Sequence, residues 1–345
     1  MENALYSDQI QERISQLLSG KTVFITGATG LIGCALIKRL VTCGERMEDS
    51  PRVIALVRNL ERAKYLFDYP GAENIQFVVG DVSDSIEIGD KVDYIIHAAS
   101  QTASKAFVEL PVETIRTALN GTHNMLELAR EKKVNGFVYL SSMEVYGSPA
   151  SDEKIREDHG TNLNTMSVRS SYPEGKRICE NLCTAYWSEY GVPAKVIRLT
   201  QTFGPGVRYH DSRVFAEFAR CAIEKRDIVL HTKGETKRSY LYTEDAVDAI
   251  LTVLLQGEPG EAYNAANEET YCSIYEMAHL VTNKCAEGQI AVRIQLDNAE
   301  RGYAPELKMN LDTGKLRSLG WRPTKDLCNM FEKLISSMQT ELGNE

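Results

Sequence analysis

Short apolar runs alternate with segments of helical periodicity through roughly the first 200 residues of the chain. Strands that are apolar on both faces and alternate with helices are typical of a parallel sheet covered by helices on both sides. The pattern therefore predicts an α/β fold with a doubly wound parallel sheet. Its first six strands are expected at residues 22–26, 53–57, 75–79, 92–96, 136–140 and 195–199.

The alternation becomes less regular after Gly206. Shorter strands are expected at Ile228–His231 and Ile290–Ile294, between helical segments, and the run Tyr263–Ala265 is expected to return to the main sheet. This part of the chain is therefore predicted to form a smaller C-terminal α/β lobe whose chain crosses back once. A ligand site is expected in the cleft between the two parts, where such sites commonly lie.

Length and composition limit the classes of protein that the chain can represent. The chain has 345 residues, 43% of them hydrophobic and 25% charged, which fits a folded protein of about two domains. A net charge of −9 argues against nucleic acid as a partner. No apolar segment is long enough to span a membrane, and the N-terminus lacks the features of a signal peptide, so we expect a cytoplasmic protein. The eight scattered cysteines indicate apolar packing in a reducing compartment and no metal site.

A glycine-rich loop follows the first strand and opens the first helix of the alternating region. Gly27, Gly30 and Gly33 have the spacing Gly-x-x-Gly-x-x-Gly, and Thr29, Leu31 and Ile32 lie between them. Such a loop presents free N–H groups of a helix N-terminus to a pyrophosphate. We therefore predict a Rossmann-type dinucleotide-binding domain over residues 1–200, with a return segment at about 240–268. Residues 201–239 and 269–345 are then predicted to form a substrate-binding lobe.

The ends of the second and third strands bear on the choice between NAD and NADP. The second strand ends in Arg58 where NAD-binding proteins usually have an acidic residue, and a guanidinium can pair with a 2′-phosphate. NADP is therefore favoured over NAD, with stacking on adenine or simple solvation of Arg58 as alternatives. Asp81, followed by Val82, is expected to contact the adenine or to cap the next segment.

Three residues predict proton and hydride chemistry. Ser142 follows the fifth strand, and Tyr172 and Lys176 lie four residues apart on one helical face. The ammonium group is expected to lower the pKa of the phenol. Tyr172 would then take a proton from a sugar hydroxyl while a hydride leaves the carbon, and Ser142 would hydrogen-bond the same oxygen.

Taken together, these motifs make nearly the whole chain resemble the extended short-chain dehydrogenase/reductase family, in particular its NAD-dependent nucleotide-sugar epimerase/dehydratase branch. The residues that carry the resemblance are Thr26–Gly33, Gly80–Asp81, His97–Ala99, Gly121–Thr122, Ser141–Ser142, Glu144–Gly147, Tyr172, Lys176, Phe203–Pro205, Arg238, Tyr242 and Asp245.

The resemblance implies roles for several of these residues. Ser142, Tyr172 and Lys176 would form the catalytic triad, with Lys176 also holding the nicotinamide ribose. Residues lining the cofactor would include Ala98, Ala99 and Ser100. Members of the branch oxidise a sugar C4 hydroxyl with bound NAD(P), alter the resulting ketone and often return the hydride.

The residues after Ser142 bear on the outcome of the reaction. Glu144 keeps a candidate base, with a loop carboxylate unrelated to chemistry as the alternative, whereas Met143 cannot donate the proton that an Asp supplies in many dehydratases. The resemblance further implies substrate contacts from Gln201, Arg238 and Arg301. It leaves open the nucleotide and the choice among epimerase, dehydratase and decarboxylase.

Two other functions compete with this hypothesis. One is an NADPH-dependent carbonyl reductase of the same superfamily, and the other is a non-catalytic cofactor-sensing protein. The resemblance also implies a homodimer formed through the two long helices Pro111–Lys132 and Ser171–Tyr190.

Overall fold

The fold is described by a computed structural model that covers residues 12–44, 50–296 and 306–344. Its strands are β1 Thr22–Thr26, β2 Arg52–Val57, β3 Ile75–Val79, β4 Tyr94–His97, β5 Gly136–Ser142, β6 Ala194–Leu199, β7 Gln201–Phe203, β8 Ile228–Leu230, β9 Lys237–Tyr242, β10 Ala262–Ala265, β11 Asn267–Ser273, β12 Val292–Ile294 and β13 Lys308–Met309.

The helices follow the strands in regular alternation over the first part of the chain. They are α1 at residues 12–18, α2 Leu31–Gly44, α3 Leu60–Leu66, α4 Ser104–Glu109, α5 Pro111–Lys132, α6 Ser171–Tyr190, α7 Val214–Glu224, α8 Thr243–Gln256, α9 Ile274–Leu280, α10 Gly314–Ser318 and α11 Leu327–Asn344.

Seven strands form the main sheet in the order β10-β6-β5-β4-β1-β2-β3, and all its neighbouring pairs are parallel. The strands are apolar on both faces because helices cover both. One face packs against α1, α2 and α8, and the other against α5 and α6. The order reverses between β1 and β4, so the carboxyl ends of these two strands border the crevice where ligands bind in such sheets.

A second lobe packs beside the carboxyl edge of the main sheet. Its sheet has the order β11-β9-β13, with β7 added beside β9, and β8 and β12 form a separate pair. Aromatic rings fill its core. The Phe203 and Phe215 rings stack with centroids 4.5 Å apart, and the Phe331 ring packs at a tilt on Phe203 with centroids 5.1 Å apart.

One buried carboxylate holds the C-terminal segment against α8, the helix that packs on the main sheet. Asp245, at the start of α8, accepts hydrogen bonds from the Thr324 N–H at 2.9 Å and the Thr324 hydroxyl at 2.6 Å. The Trp321 indole N–H donates to the Asp245 carbonyl at 3.0 Å. These contacts fix the last part of the chain against α8.

The predicted α/β fold is confirmed, including the return strand, which is β10 paired with β6. The strand predicted at 92–96 lies at Tyr94–His97. Asp93, just before it, accepts a hydrogen bond from the Thr22 N–H through its side chain at 2.9 Å. The sequence pattern also predicts a short helix over residues 4–18 ahead of the first strand. The structure has this helix at 12–18, and residues 4–11 lie outside the described residues. The proposed domain boundaries stay a prediction.

No helix in the described part of the chain is long and apolar enough to cross a membrane.

Candidate active site

The glycine loop lies tightly against the end of β4. Gly27 has a φ of +67°, and a Cβ there would approach the Ala98 and Ala99 backbone to 2.7–2.8 Å. A Cβ on Gly33 would come within 2.2 Å of the Gly27 carbonyl oxygen. Only glycine fits these two positions, because any side chain would push α2 away from β1.

The middle of the same loop is open. Gly30 is exposed, and a Cβ there would meet only the Gly27 oxygen, at 3.3 Å. Thr29, Leu31 and Ile32 are partly exposed beside it. The first N–H groups of α2 have no acceptor within the helix, so this end can receive an anionic group. The loop therefore fits the pyrophosphate of a dinucleotide.

A buried histidine holds the opposite wall of this crevice. His97 bonds through Nδ1 to the Thr26 hydroxyl at 2.8 Å and through Nε2 to the Thr122 hydroxyl at 3.2 Å. The Ala99 N–H donates to the same Thr26 hydroxyl at 3.1 Å. Burial lowers the pKa of His97 to about 3, so the ring is uncharged at neutral pH. The network fixes the partly exposed residues 98–100 where a cofactor would lie.

The two residues predicted to choose the cofactor lie at the ends of β2 and β3. Arg58 is exposed and makes no hydrogen bond or ion pair with any described residue. The Asp81 carboxylate accepts a hydrogen bond from the Ser83 N–H at 2.9 Å within a local turn, and no helix of the described chain begins there for it to cap. Its contact with the adenine stays a prediction. Val82 is buried next to Gly121 of α5.

Ser142, Tyr172 and Lys176 meet at the carboxyl edge of the sheet. Ser142 ends β5, Tyr172 lies in the first turn of α6, and Lys176 follows one turn later. The Lys176 Nζ is buried, donates to the Leu140 carbonyl at 2.6 Å and lies 5.8 Å from the centre of the Tyr172 ring. The structure thus brings the three predicted residues together.

The charges around the phenol differ from the sequence-based expectation. Burial raises the pKa of Tyr172, and the charge of Glu144 raises it further, whereas the Ser142 hydroxyl and Arg169 oppose the rise. Burial also lowers the pKa of Lys176 to about 8. The prediction that Lys176 lowers the pKa of Tyr172 is therefore wrong for this arrangement. The ammonium is bonded to the Leu140 carbonyl, and desolvation dominates at the phenol.

Phe107 forms the wall behind the tyrosine, and sequence reasoning missed it. The rings of Phe107 and Tyr172 stack at 4.2 Å with an interplanar angle of 9°. The Ser171 hydroxyl donates to the Phe107 carbonyl at 2.8 Å, which ties α4 to the start of α6. The six-residue helix α4 lies just ahead of Pro111 and was not predicted, so nothing in the sequence pointed to this contact.

Glu144 reaches the site from the 3₁₀ turn Met143–Tyr146, which follows β5. Its N–H donates to the Ser142 hydroxyl at 3.2 Å, and its carboxylate forms an ion pair with Arg169 at 2.9 Å. Met143 instead packs into the interior, where its sulfur accepts a hydrogen bond from the Thr200 hydroxyl at 3.3 Å. Sequence analysis did not single out Arg169.

Two predicted substrate contacts lie on neighbouring strands of the second lobe. Gln201 on β7 is paired with Tyr240 on β9, and Arg238 lies two residues earlier on β9. Residues paired in register, or two apart along a strand, share one face, so Gln201 and Arg238 face the same side. The buried Gln201 Oε1 and Arg238 Nε have no hydrogen-bond partner among the described residues. Arg301 lies outside the described residues.

Within the described ranges, no group of three or more His, Cys, Asp or Glu side chains could hold a metal ion.

The doubly wound sheet, the open glycine loop and the Ser–Tyr–Lys set define a dinucleotide-binding protein of the short-chain dehydrogenase/reductase class. The model of the NAD dependent epimerase/dehydratase family matches residues 23–266. The chain belongs to that family.

Curated relatives of the chain are nucleotide-sugar enzymes. UDP-glucuronic acid decarboxylase 1 of Xenopus tropicalis is 30% identical over 94% of this chain and 74% of its own. The dTDP-D-glucose 4,6-dehydratase of Homo sapiens is 27% identical over 88% of this chain and 85% of its own.

Solved structures show the same fold. The UDP-N-acetylglucosamine 4-epimerase of Methanobrevibacter ruminantium superimposes with a TM-score of 0.81 at 18% identity, over 94% of this chain and 99% of that one. The dTDP-glucose 4,6-dehydratase of Bacillus anthracis, solved in complex with NAD, gives a TM-score of 0.75 at 20% identity, over 94% and 98% of the two chains.

Proposed function

We propose that this protein converts a nucleotide sugar by transient oxidation of its C4 hydroxyl with tightly bound NAD(P). The observation that carries the proposal is the meeting of Ser142, Tyr172 and Lys176 at the crevice, with the Glu144 carboxylate on the adjoining turn. The names of the curated relatives support a nucleotide-sugar substrate.

The cofactor would be held along the carboxyl edge of the main sheet. Gly27–Gly33 would bind the pyrophosphate, Arg58 with Asp81 and Val82 would border the adenosine, and Ala98–Ser100 would line the middle of the dinucleotide. Tyr172 and Lys176 would border the nicotinamide ribose. The cofactor supplies the hydride acceptor.

The side chains of the protein handle the protons. Tyr172 accepts the C4 hydroxyl proton as the C–H bond breaks, and Ser142 donates a hydrogen bond to the same oxygen. Because the pKa of Tyr172 is raised, its phenolate is scarce at neutral pH, and the oxidation step is expected to accelerate as pH rises. Where the outcome requires loss of a C–H proton next to the new ketone, Glu144 would be the base that removes it.

The structure bears on which product forms. Many dehydratases use an Asp where this chain has Met143, which packs inward and has no acidic proton. Loss of water that depends on such an Asp is therefore disfavoured. The product would be an epimer, a decarboxylated sugar or a sugar dehydrated without an Asp at this position. Arg238, whose Nε has no hydrogen-bond partner among the described residues, would donate to the substrate's diphosphate. Gln201, whose Oε1 is likewise unpaired, would accept a hydrogen bond from a hydroxyl of the substrate. Arg301 keeps its proposed substrate role from the sequence alone.

We further propose that NADP binds at least as well as NAD, because the Arg58 guanidinium is free among the described residues. The dTDP-glucose 4,6-dehydratase of Bacillus anthracis has NAD bound, and titration of this protein with both cofactors decides between them. The cytoplasmic location stays a prediction.

A homodimer through α5 and α6 is proposed on the exposure of their outer faces. Val112 is 64% exposed on α5, and Ile178 and Trp187 are 44% and 40% exposed on α6. A monomer in light scattering at micromolar concentration would contradict it.

The function is tested by incubating the purified protein with a panel of nucleotide sugars and following products by mass spectrometry. Unchanged mass with altered retention identifies an epimerase, loss of water a dehydratase, and loss of carbon dioxide a decarboxylase. Stoichiometric consumption of added NADPH on a carbonyl substrate would instead indicate the alternative reductase. No conversion of any sugar would contradict the proposal.

A further inference from the structure

Arg169 contacts the candidate base, although the mechanism above gives it no role. It lies on the 3₁₀ turn Val168–Ser170, directly before α6, and its guanidinium meets the Glu144 carboxylate at 2.9 Å. The two side chains are 33% and 31% exposed, so the pair lies at the mouth of the site and is only partly screened by water. The turn that carries Arg169 is itself anchored by the Ser170 hydroxyl, which donates to the Asn164 carbonyl at 2.7 Å.

The same guanidinium also touches the wall behind the tyrosine. Its Cζ lies 4.8 Å from the centre of the Phe107 ring, within the range of a cation–π contact. The Phe107 ring stacks in turn on Tyr172, and its side chain is buried. Arg169 therefore bridges the carboxylate on one side and the aromatic stack on the other, which restricts it to one orientation.

The charges of the pair act on the phenol in opposite directions. Glu144 raises the pKa of Tyr172, and Arg169 lowers it. A carboxylate beside the phenol would oppose phenolate formation if it stood alone. The paired guanidinium offsets the Glu144 charge, so a base can lie next to Tyr172 with a smaller rise in the Tyr172 pKa.

We propose that Arg169 is a positioning residue, which holds the Glu144 carboxylate for proton removal from the carbon next to the C4 ketone. This inference rests on the proposed function. In the step concerned, the C–H bond breaks, the proton moves to a Glu144 oxygen, and the electron pair moves to the ketone oxygen as an enolate. Arg169 acts before that step, by fixing where the accepting oxygen lies.

A double-mutant cycle tests the inference on the full-length protein with its cofactor. Arg169→Ala, Glu144→Gln and the double variant are compared with wild type on the nucleotide sugar that the screen identifies. The near-ultraviolet absorbance of reduced nicotinamide in a single turnover reports the hydride step. Product formation reports the later proton step. Arg52→Ala, which removes an exposed pair with Asp90 at the amino end of β2, away from the site, is the matched control.

We expect Arg169→Ala to slow product formation by about 10²-fold, as a misplaced catalytic group does, while the absorbance step slows much less. In the Glu144→Gln background the same change should add little, because the residue through which it acts is already gone. Arg169→Lys or added guanidinium ion should restore part of the lost rate when Glu144 is present, and guanidinium should restore none in the double variant.

The inference is overturned if Arg169→Ala costs the same factor in both backgrounds, or if it reduces the hydride step and the proton step equally. Loss of cofactor binding in Arg169→Ala alone would likewise show a structural role and overturn it. If wild type converts no nucleotide sugar and forms no reduced nicotinamide with any of them, the proposed function itself fails. That result is distinct because it does not involve the variants.

Discussion

Tyr172→Phe separates chemistry from folding more cleanly than any other change in the site. The substitution removes one hydroxyl and keeps the ring, so the stack on Phe107 at 4.2 Å and 9° is retained. The hydrogen bond between the Tyr172 hydroxyl and Ser142 contributes about 1 kcal/mol to the free energy of unfolding. Removing the hydroxyl also removes the cost of burying its oxygen, which partly offsets the loss of that bond. The free energy of unfolding is therefore expected to change by no more than about 1 kcal/mol.

The effect on catalysis should be much larger. A lost general acid/base typically costs ~10²–10⁴ in rate. This range corresponds to about 3–5 kcal/mol in the activation free energy. The turnover rate and the rate at which the absorbance of reduced nicotinamide appears should therefore both fall by that factor. The cofactor dissociation constant measured by calorimetry should stay within a few-fold of wild type.

Tyr190→Phe is the control, because Tyr190 is half exposed at the other end of the same helix and should give unchanged turnover. Near-normal turnover of Tyr172→Phe on the substrate of the wild type would refute the mechanism. A large drop in thermal stability would refute the structural part of the argument.

Four further changes test the cofactor site. Gly33→Ala should prevent stable folding because its Cβ would overlap the Gly27 oxygen. Gly30→Ala should fold and bind cofactor more weakly, because its Cβ would make only one tight contact, at 3.3 Å from the same oxygen. Melting curves and calorimetry distinguish the two. Arg58→Asp should reduce NADP affinity more than NAD affinity, and equal titration curves before and after the change would contradict the assignment. Lys176→Met should weaken turnover and cofactor binding together. The pKa of Lys176 is lowered to about 8 in the fold, so wild type should gain stability relative to Lys176→Met as pH rises from about 8 toward the unfolded pKa near 10.5, and urea unfolding at several pH values measures this gain.

The sequence predicted the main sheet well because its strands are apolar on both faces and bounded by turn residues. β1 and β3 occupy the predicted residues, since each is a short run with no competing pattern. The second lobe was harder to predict. Strands β9 and β11 contain Lys237, Arg238 and several polar residues, so neither reads as an apolar or alternating run, and both depend on pairing with each other.

The site shows a similar division. Ser142, Tyr172 and Lys176 could be found because two of them lie one turn apart on a helix and the third ends a strand. Arg169 and Phe107 could not, because their contacts arise when the fold brings a short helix and a turn beside a residue far away in sequence. The direction of the Tyr172 pKa shift depends on burial and on the hydrogen-bond partner of the Lys176 ammonium. The spacing of the two residues along the helix gives no information about either.

The central claim is that a hydride moves directly from the sugar C4 carbon to the bound cofactor while Tyr172 accepts the C4 hydroxyl proton. Stopped-flow absorbance of reduced nicotinamide, with the identified nucleotide sugar carrying hydrogen or deuterium at C4, measures that transfer directly. The account predicts a transient in wild type and in Glu144→Gln that is slower with deuterium and is lost in Tyr172→Phe. Product formation without any such transient, or a transient with the same rate for both isotopes, would contradict it.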